Sequence, residues 1–179
     1  MLLIEVDSSV KWRRTINMLS HKNFRSSVLS LPLQWRLGRL RRALQDAFSE
    51  DTAAAGFPRT TPSAGHCAAV SAVTHFYLGG GFASAYVDGQ SHWFNRFRIG
   101  PISIDADLTG DQFGRPEIQA EEAGRLYPGT RPRSPEELND ETLVRAATLA
   151  RRARLEHVYR RIQSELDARR APMSVQSAG

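Results

Sequence analysis

The sequence predicts an α+β fold: a central buried helix packed on an antiparallel β-sheet, with flanking N-terminal and long C-terminal helices. Three observations carry that expectation. Residues 67–77 (CAAVSAVTHFY) are apolar around most of a helical circumference, the mark of a helix enclosed on several sides. Three short runs after it, 82–87, 92–98 and 102–108, have β character and are separated by turn residues. The segments on either side of this block carry apolar residues at three- and four-residue intervals among arginines.

Composition sets the limits. A chain of 179 residues, 41% hydrophobic and 24% charged, suits one soluble domain with a core and is short for two. One cysteine excludes an intramolecular disulfide and any multi-cysteine zinc site. No apolar run reaches the ~18 residues of a membrane span. The N-terminus (MLLIEVDSSVKWRR) sets apolar residues before basic ones, with acids between, the wrong order for a secretory signal. The expectation is a cytoplasmic protein with no membrane partner. The net charge of +5 is almost all arginine. Residues 1–48 and the stretch from 131 onward are basic, and residues 49–130 are mildly acidic. Aromatics are not interleaved with the arginines and no nucleic-acid motif occurs, so nucleic acid is not an expected partner. Oligomeric state is not legible.

Residues 1–33 lack a sustained period and read as a poorly structured extension. The single domain is expected over 34–168, with 169–179 as a disordered tail. From Trp35 a helix is signalled by Leu37, Leu40, Leu44 and Phe48, with Arg36, Arg39, Arg41 and Arg42 read as its solvated face. Residues 51–65 are rich in Gly, Pro, Ser and Thr and form a loop that delivers the chain to Cys67. The helix opening there is stopped by Gly79-Gly80-Gly81. The three β runs follow as a meander, turning at 88–91 and 99–101. Ser134-Pro135-Glu136-Glu137 is a capping box with proline at the first helical position. A second start at Asn139-Asp140 leads into one long helix to about residue 168, striped by Val144, Ala147, Leu155, Val158, Ile162 and Leu166.

Candidate chemistry converges on residues 65–107. Cys67 opens a buried helix, where free backbone N–H groups favour a thiolate and can stabilise an oxyanion. By position alone it is equally a small buried hydrophobe. A thiol nucleophile needs an imidazole in reach. His21 lies in the extension, and His157 on the C-terminal helix. His75 is two turns from Cys67 on the same helix. His66 adjoins the cysteine on a turn and is kept as an oxyanion or supporting residue. His92 remains as the base.

On its strand His92 shares a face with Phe94, Arg96 and Arg98. On the next strand Ser103, Asp105 and Asp107 share a face. A turn at Ile99-Gly100 sets His92 opposite Asp107 and Arg96 opposite Ser103; a slip by two keeps the faces and makes Asp107 diagonal. Asp107 is the expected orienting acid, with a strand-end cap for Thr109-Gly110 as its alternative role. Asp105 is expected to pair with Arg96, and Asn95 lies on the other face; both are kept as supporting residues.

The stretches 40–52 (LRRALQDAFSEDT), 62–70 (PSAGHCAAV), 92–96 (HWFNR) and 107–113 (DLTGDQF) resemble the YunG-like family of small bacterial proteins, over roughly residues 36–155. The resemblance implies a papain-like, transglutaminase-like thiol fold and carries Cys67, His92 and Asp107 over as a triad. The family commonly has glutamine where this chain has His66. The function expected is a thiol hydrolase or acyl transferase: peptidase, amidase, deamidase or transglutaminase-like, on a peptide, protein or small amide substrate. Its alternative is a non-catalytic binding or structural module that retains the fold. No cofactor is expected, and no paired-ligand spacing signals a metal.

Overall fold

The computed structural model describes residues 21–57 and 60–171, with side-chain burial from residue 31. Among these are four helices, α1 (His21–Gln45), α2 (Cys67–Leu78), α3 (Asp140–Arg152) and α4 (Glu156–Arg170). The strands are β1 (Gly81–Val87), β2 (Gln90–Ile99), β3 (Ile102–Asp107), β4 (Gln119–Glu122) and β5 (Arg131–Arg133). They form one antiparallel sheet in the order β4-β3-β2-β1-β5. The fold is α+β.

Strand alternation divides the core in two. Phe82, Phe97 and Ala106 turn to the face covered by the helices, joining Leu37, Leu40 and Leu44 of α1, Val70 and Val73 of α2, Leu143 and Ala147 of α3, and Ile162 and Leu166 of α4. The other face holds a smaller cluster, Ala83, Ala85, Val87 and Phe94, capped by Leu126 and Tyr127 from the 123–130 loop. Polar bonds fasten α2 across β2: Ser71 Oγ donates to the Phe94 carbonyl (3.1 Å), and Asn95 Nδ2 donates to the Ser71 carbonyl (3.0 Å). Asn95 therefore ties helix to sheet.

The structure alters several expectations. Residues 1–20 and 172–179 of the expected extension and tail lie outside the described residues. Helix α1 begins at His21, well before Trp35; among its residues from 31 on, whose burial is described, Leu37 is the first buried side chain. The apolar period marks a stretch that packs, not the point where the helix begins. Arg41 is not on the solvated face: it is 1% exposed, because 37, 41 and 44 are spaced to share one stripe.

The expected single C-terminal helix is two. It breaks at Ala153–Leu155, where Arg154 takes φ +58, so α4 turns back on α3 instead of continuing. Val144 is consequently exposed, and Leu143, Ala146 and Ala150 carry the stripe of α3. The capping box at 134 is present, with Ser134 N donating to Glu137 Oε1 (2.9 Å), but it starts only the 3-10 turn Pro135–Glu137. Asn139 Oδ1 accepts from Thr142 N (2.8 Å) and starts α3.

The β2–β3 register differs by two residues from the aligned pairing. Ile99 pairs with Ile102 and Arg96 with Asp105, so the turn is Gly100-Pro101. Gly100 has φ +57, and proline at the second turn position supplies its fixed negative φ. Pro101 has no N–H to give a ladder, which is why it belongs in the turn rather than opposite Arg98.

Candidate active site

Cys67 is the first residue of α2. The residue before it, His66, offers no side-chain hydrogen bond to the helix start, so the opening N–H groups of α2 are free of a capping side chain. Cys67 itself is 8% exposed.

His92 and Asp107 sit just past the end of the β2–β3 ladder, whose last rung is Asn95–Ala106. Beyond that rung the imidazole reaches across diagonally, and His92 Nε2 donates to Asp107 Oδ2 at 2.8 Å. Both residues are buried, at 0% and 1% exposure. The ring lies edge-on to Phe113 (4.8 Å) and Tyr127 (5.1 Å). Burial works against a charged imidazole. The Asp107 charge and hydrogen bond, and then the Cys67 thiol, outweigh it and push His92 up to about 10. Burial likewise works against a charged Asp107. The His92 charge and hydrogen bond, then the Tyr127 hydroxyl and the Thr109 N–H, hold its carboxyl below the ordinary range. Nδ1 of His92 is buried with no hydrogen-bond partner. Besides Asp107, the Cys67 thiol favours the protonated imidazole.

Asp107 makes the hydrogen bonds that both considered roles require. Oδ1 accepts from Thr109 N (2.8 Å) and Thr109 Oγ1 (2.9 Å), capping the turn that follows β3. Oδ2 accepts from His92 and from Tyr127 OH (2.5 Å). The segment after Asp107 also holds the loop that presents Cys67. Asp111 accepts from Ser63 Oγ (2.5 Å), and Gln112 Oε1 accepts from Gly65 N (3.1 Å). A Cβ at Gly110 would run into the Pro116 carbonyl and the Gln119 amide, so only glycine lets these segments close. The run 107–113 is thus one clamp: its first residue meets His92, and its fifth and sixth meet the approach to Cys67.

His66 is fully buried. Its Nδ1 meets the Ala64 carbonyl (3.0 Å), its Nε2 meets Thr52 Oγ1 (2.9 Å) and the Ser49 carbonyl (3.2 Å), and its ring packs on Phe48 at 4.6 Å. It anchors the Ser49–Thr52 turn beneath the start of α2. Asp105 takes both arms of Arg96 (2.6 and 2.9 Å) and the Gly124 N–H (2.7 Å), away from His92. Tyr127 escaped the sequence reading; Thr109 entered it as part of the turn that Asp107 could cap. Thr109 is two residues from Asp107, a spacing that signals side-chain capping, whereas Tyr127 stands in a Gly/Pro-rich loop with no periodicity to assign it. Among the described residues, no group of three or more His, Cys, Asp and Glu side chains is arranged to hold a metal ion.

A family model described as YunG protein matches residues 36–167. Among the residues whose burial is described, the match opens one residue before the first buried side chain, Leu37, and closes one after the last, Leu166. It also extends past residue 155 through most of α4. No curated protein and no solved structure matches the chain.

Proposed function

The chain belongs to the YunG family, and on that premise we propose that it is a thiol hydrolase or acyl transferase of papain-like plan, with Cys67 as nucleophile, His92 as base and Asp107 as orienting acid. The observation that carries this reading is the state of the buried imidazole: one nitrogen is held by Asp107, the other has no hydrogen-bond partner, and the nearby Cys67 thiol favours the protonated ring. In the proposed cycle the Cys67 proton already resides on His92 Nδ1, and the thiolate sulfur attacks an amide carbonyl carbon. The carbon–nitrogen bond then breaks, and the leaving amine takes that proton. Water or a second amine attacks the thioester, giving its proton to His92 as the Cys67 sulfur leaves as thiolate, which restores the starting pair. Hydrolysis, deamidation and transfer differ only in the amide attacked and the acceptor admitted. Oxyanion stabilisation falls to the Cys67 backbone N–H rather than to His66, whose ring nitrogens are occupied. A single reduced thiol at the centre suits a cytoplasmic setting.

The test is labelling with an acyl-electrophile probe. The parent should label at Cys67, His92→Ala should label far more slowly, and Cys67→Ala should not label. One observation favours a second reading, a binding module that keeps the fold without turnover: His92 and Asp107 are sealed and Cys67 is barely exposed. Absence of labelling by the acyl probe and by iodoacetamide alike would favour that module.

A further inference from the structure

Tyr127 has no part in the proton path just described, yet it is fully buried against it. Its hydroxyl donates to Asp107 Oδ2 at 2.5 Å, the same oxygen that accepts from His92 Nε2 at 2.8 Å. Its ring lies edge-on to the imidazole at 5.1 Å and tilted against Phe94 at 5.3 Å. Arg115 stacks over the ring at 4.7 Å and donates to the Leu126 carbonyl (3.0 Å), so the loop carrying Tyr127 is pinned from outside. Thr130 Oγ1 donates to the Tyr127 carbonyl (2.7 Å) and fixes the next turn.

A carboxylate held at one oxygen by Thr109 can still pivot. A second donor on the other oxygen stops that motion and takes up part of its charge. We infer that Tyr127 is a positioning residue of the site: its hydroxyl holds Asp107 Oδ2 against His92 and tempers the carboxylate, setting the pH range over which the imidazolium persists. This rests on the reading of Asp107 as the group that orients His92. The charged and titratable groups around the carboxylate are His92 from β2, Tyr127 itself, Cys67 from α2 on the far side of the imidazole, and Arg115 over the phenol ring. From β4, Gln119 contributes an uncharged amide, 3.4 Å from the phenol oxygen. Burial, and then the Asp107 charge, hold the Tyr127 phenol above its ordinary range, so it remains a donor wherever the pair is ionised.

The experiment is titration of His92 by NMR of its ring carbons in the full chain, in the parent and in Tyr127→Phe. Phenylalanine keeps the ring packing and removes only the hydroxyl. With the carboxylate no longer shared, the His92 midpoint should rise by about half a unit to one unit, the size of one hydrogen bond. A midpoint that stays put or falls overturns the inference, since packing alone would leave it unmoved. Should Tyr127→Phe fail to fold, the parent decides. Its Tyr127 ring-carbon resonance should show no ionisation up to pH 11, and ionisation near pH 10 overturns the proposal. Should Tyr127→Phe raise the midpoint while Cys67 proves inert to acyl probes, the catalytic reading falls and the hold of Tyr127 on Asp107 stands.

Discussion

The same face of β2 and β3 carries two pairs of a cationic side chain and a carboxylate, a rung apart. Arg96 and Asp105 stand directly across the ladder, joined by two hydrogen bonds of 2.6 and 2.9 Å, with the arginine side chain 27% exposed. His92 and Asp107 lie past the last rung, joined diagonally by one bond of 2.8 Å, and both are sealed from solvent. A guanidinium stays protonated at any pH the protein meets, and its fork occupies both carboxylate oxygens, so the first pair is a fixed strut. An imidazole can lose its proton, and here it spends one nitrogen on the carboxylate and keeps the other. Two carboxylates of the same strand thus acquire different work from the chemistry of the partner and from where the ladder ends.

The largest effect should come from the partner that keeps a free nitrogen. His92→Ala should slow iodoacetamide alkylation of Cys67 at pH 7 by about 10- to 100-fold, as loss of a positioned base does. Arg96→Ala should leave the rate within about threefold. Equal losses in the two variants would erase the distinction between the pairs. Next, Asp107→Asn should give an intermediate loss of about tenfold, because the thiol keeps its imidazole but the imidazolium loses its counter-charge. Asp105→Asn should cost less than Asp107→Asn in the same assay. A larger effect from Asp105 would mean that Arg96, not His92, governs the site.

Stability should divide the pairs the other way. Arg96→Leu strands the fully buried Asp105 with only the Gly124 N–H, at a cost of about 3 kcal/mol in urea unfolding, with Cys67 reactivity kept. A cost below about 1 kcal/mol would show that the strut is dispensable. A further effect is one of pH. His92 is raised from 6.5 to about 10, so its contribution to stability is complete below about 6.5 and fades as pH rises toward 10. Asp107 is lowered from 3.8, so its share is present above about 4 and lost in more acid solution. Unfolding curves of the parent, compared with His92→Ala, should differ most between pH 4 and 6.5. Arg96→Leu, whose guanidinium does not titrate, should give no such basic limb. A pH-independent difference between parent and His92→Ala would remove the charged pair.

What could be read from the sequence follows the same division. Helix α2, with Cys67 at its first turn and a glycine stop, was legible because its composition is uniform and its ends are marked. The faces of β2 and β3 were legible because parity follows from alternation. Register was not: parity is unchanged by a slip of two, and only the missing N–H of Pro101 argues for the turn observed. The break between α3 and α4 falls in Arg151-Arg152-Ala153-Arg154, good helix formers with no glycine or proline to announce it. Strands β4 and β5 are short and polar, and β5 contains Pro132, so neither has a β signature. The supporting shell was the least legible. Arg41 looked like one more surface arginine. It packs on Phe48 at 4.9 Å and approaches Asp111 at 3.7 Å, meeting the clamp that holds the Cys67 loop. Asp111 is far from it in sequence, and no period records that contact.

The central claim, that Cys67 and His92 form an activated pair, is tested most directly by the rate of Cys67 alkylation from pH 5 to 10. The account predicts substantial reaction well below ~8.5, where a free thiol begins to react, and loss of that reactivity in His92→Ala. A single rise near pH 8.5 or above, identical in the parent and in His92→Ala, would contradict it.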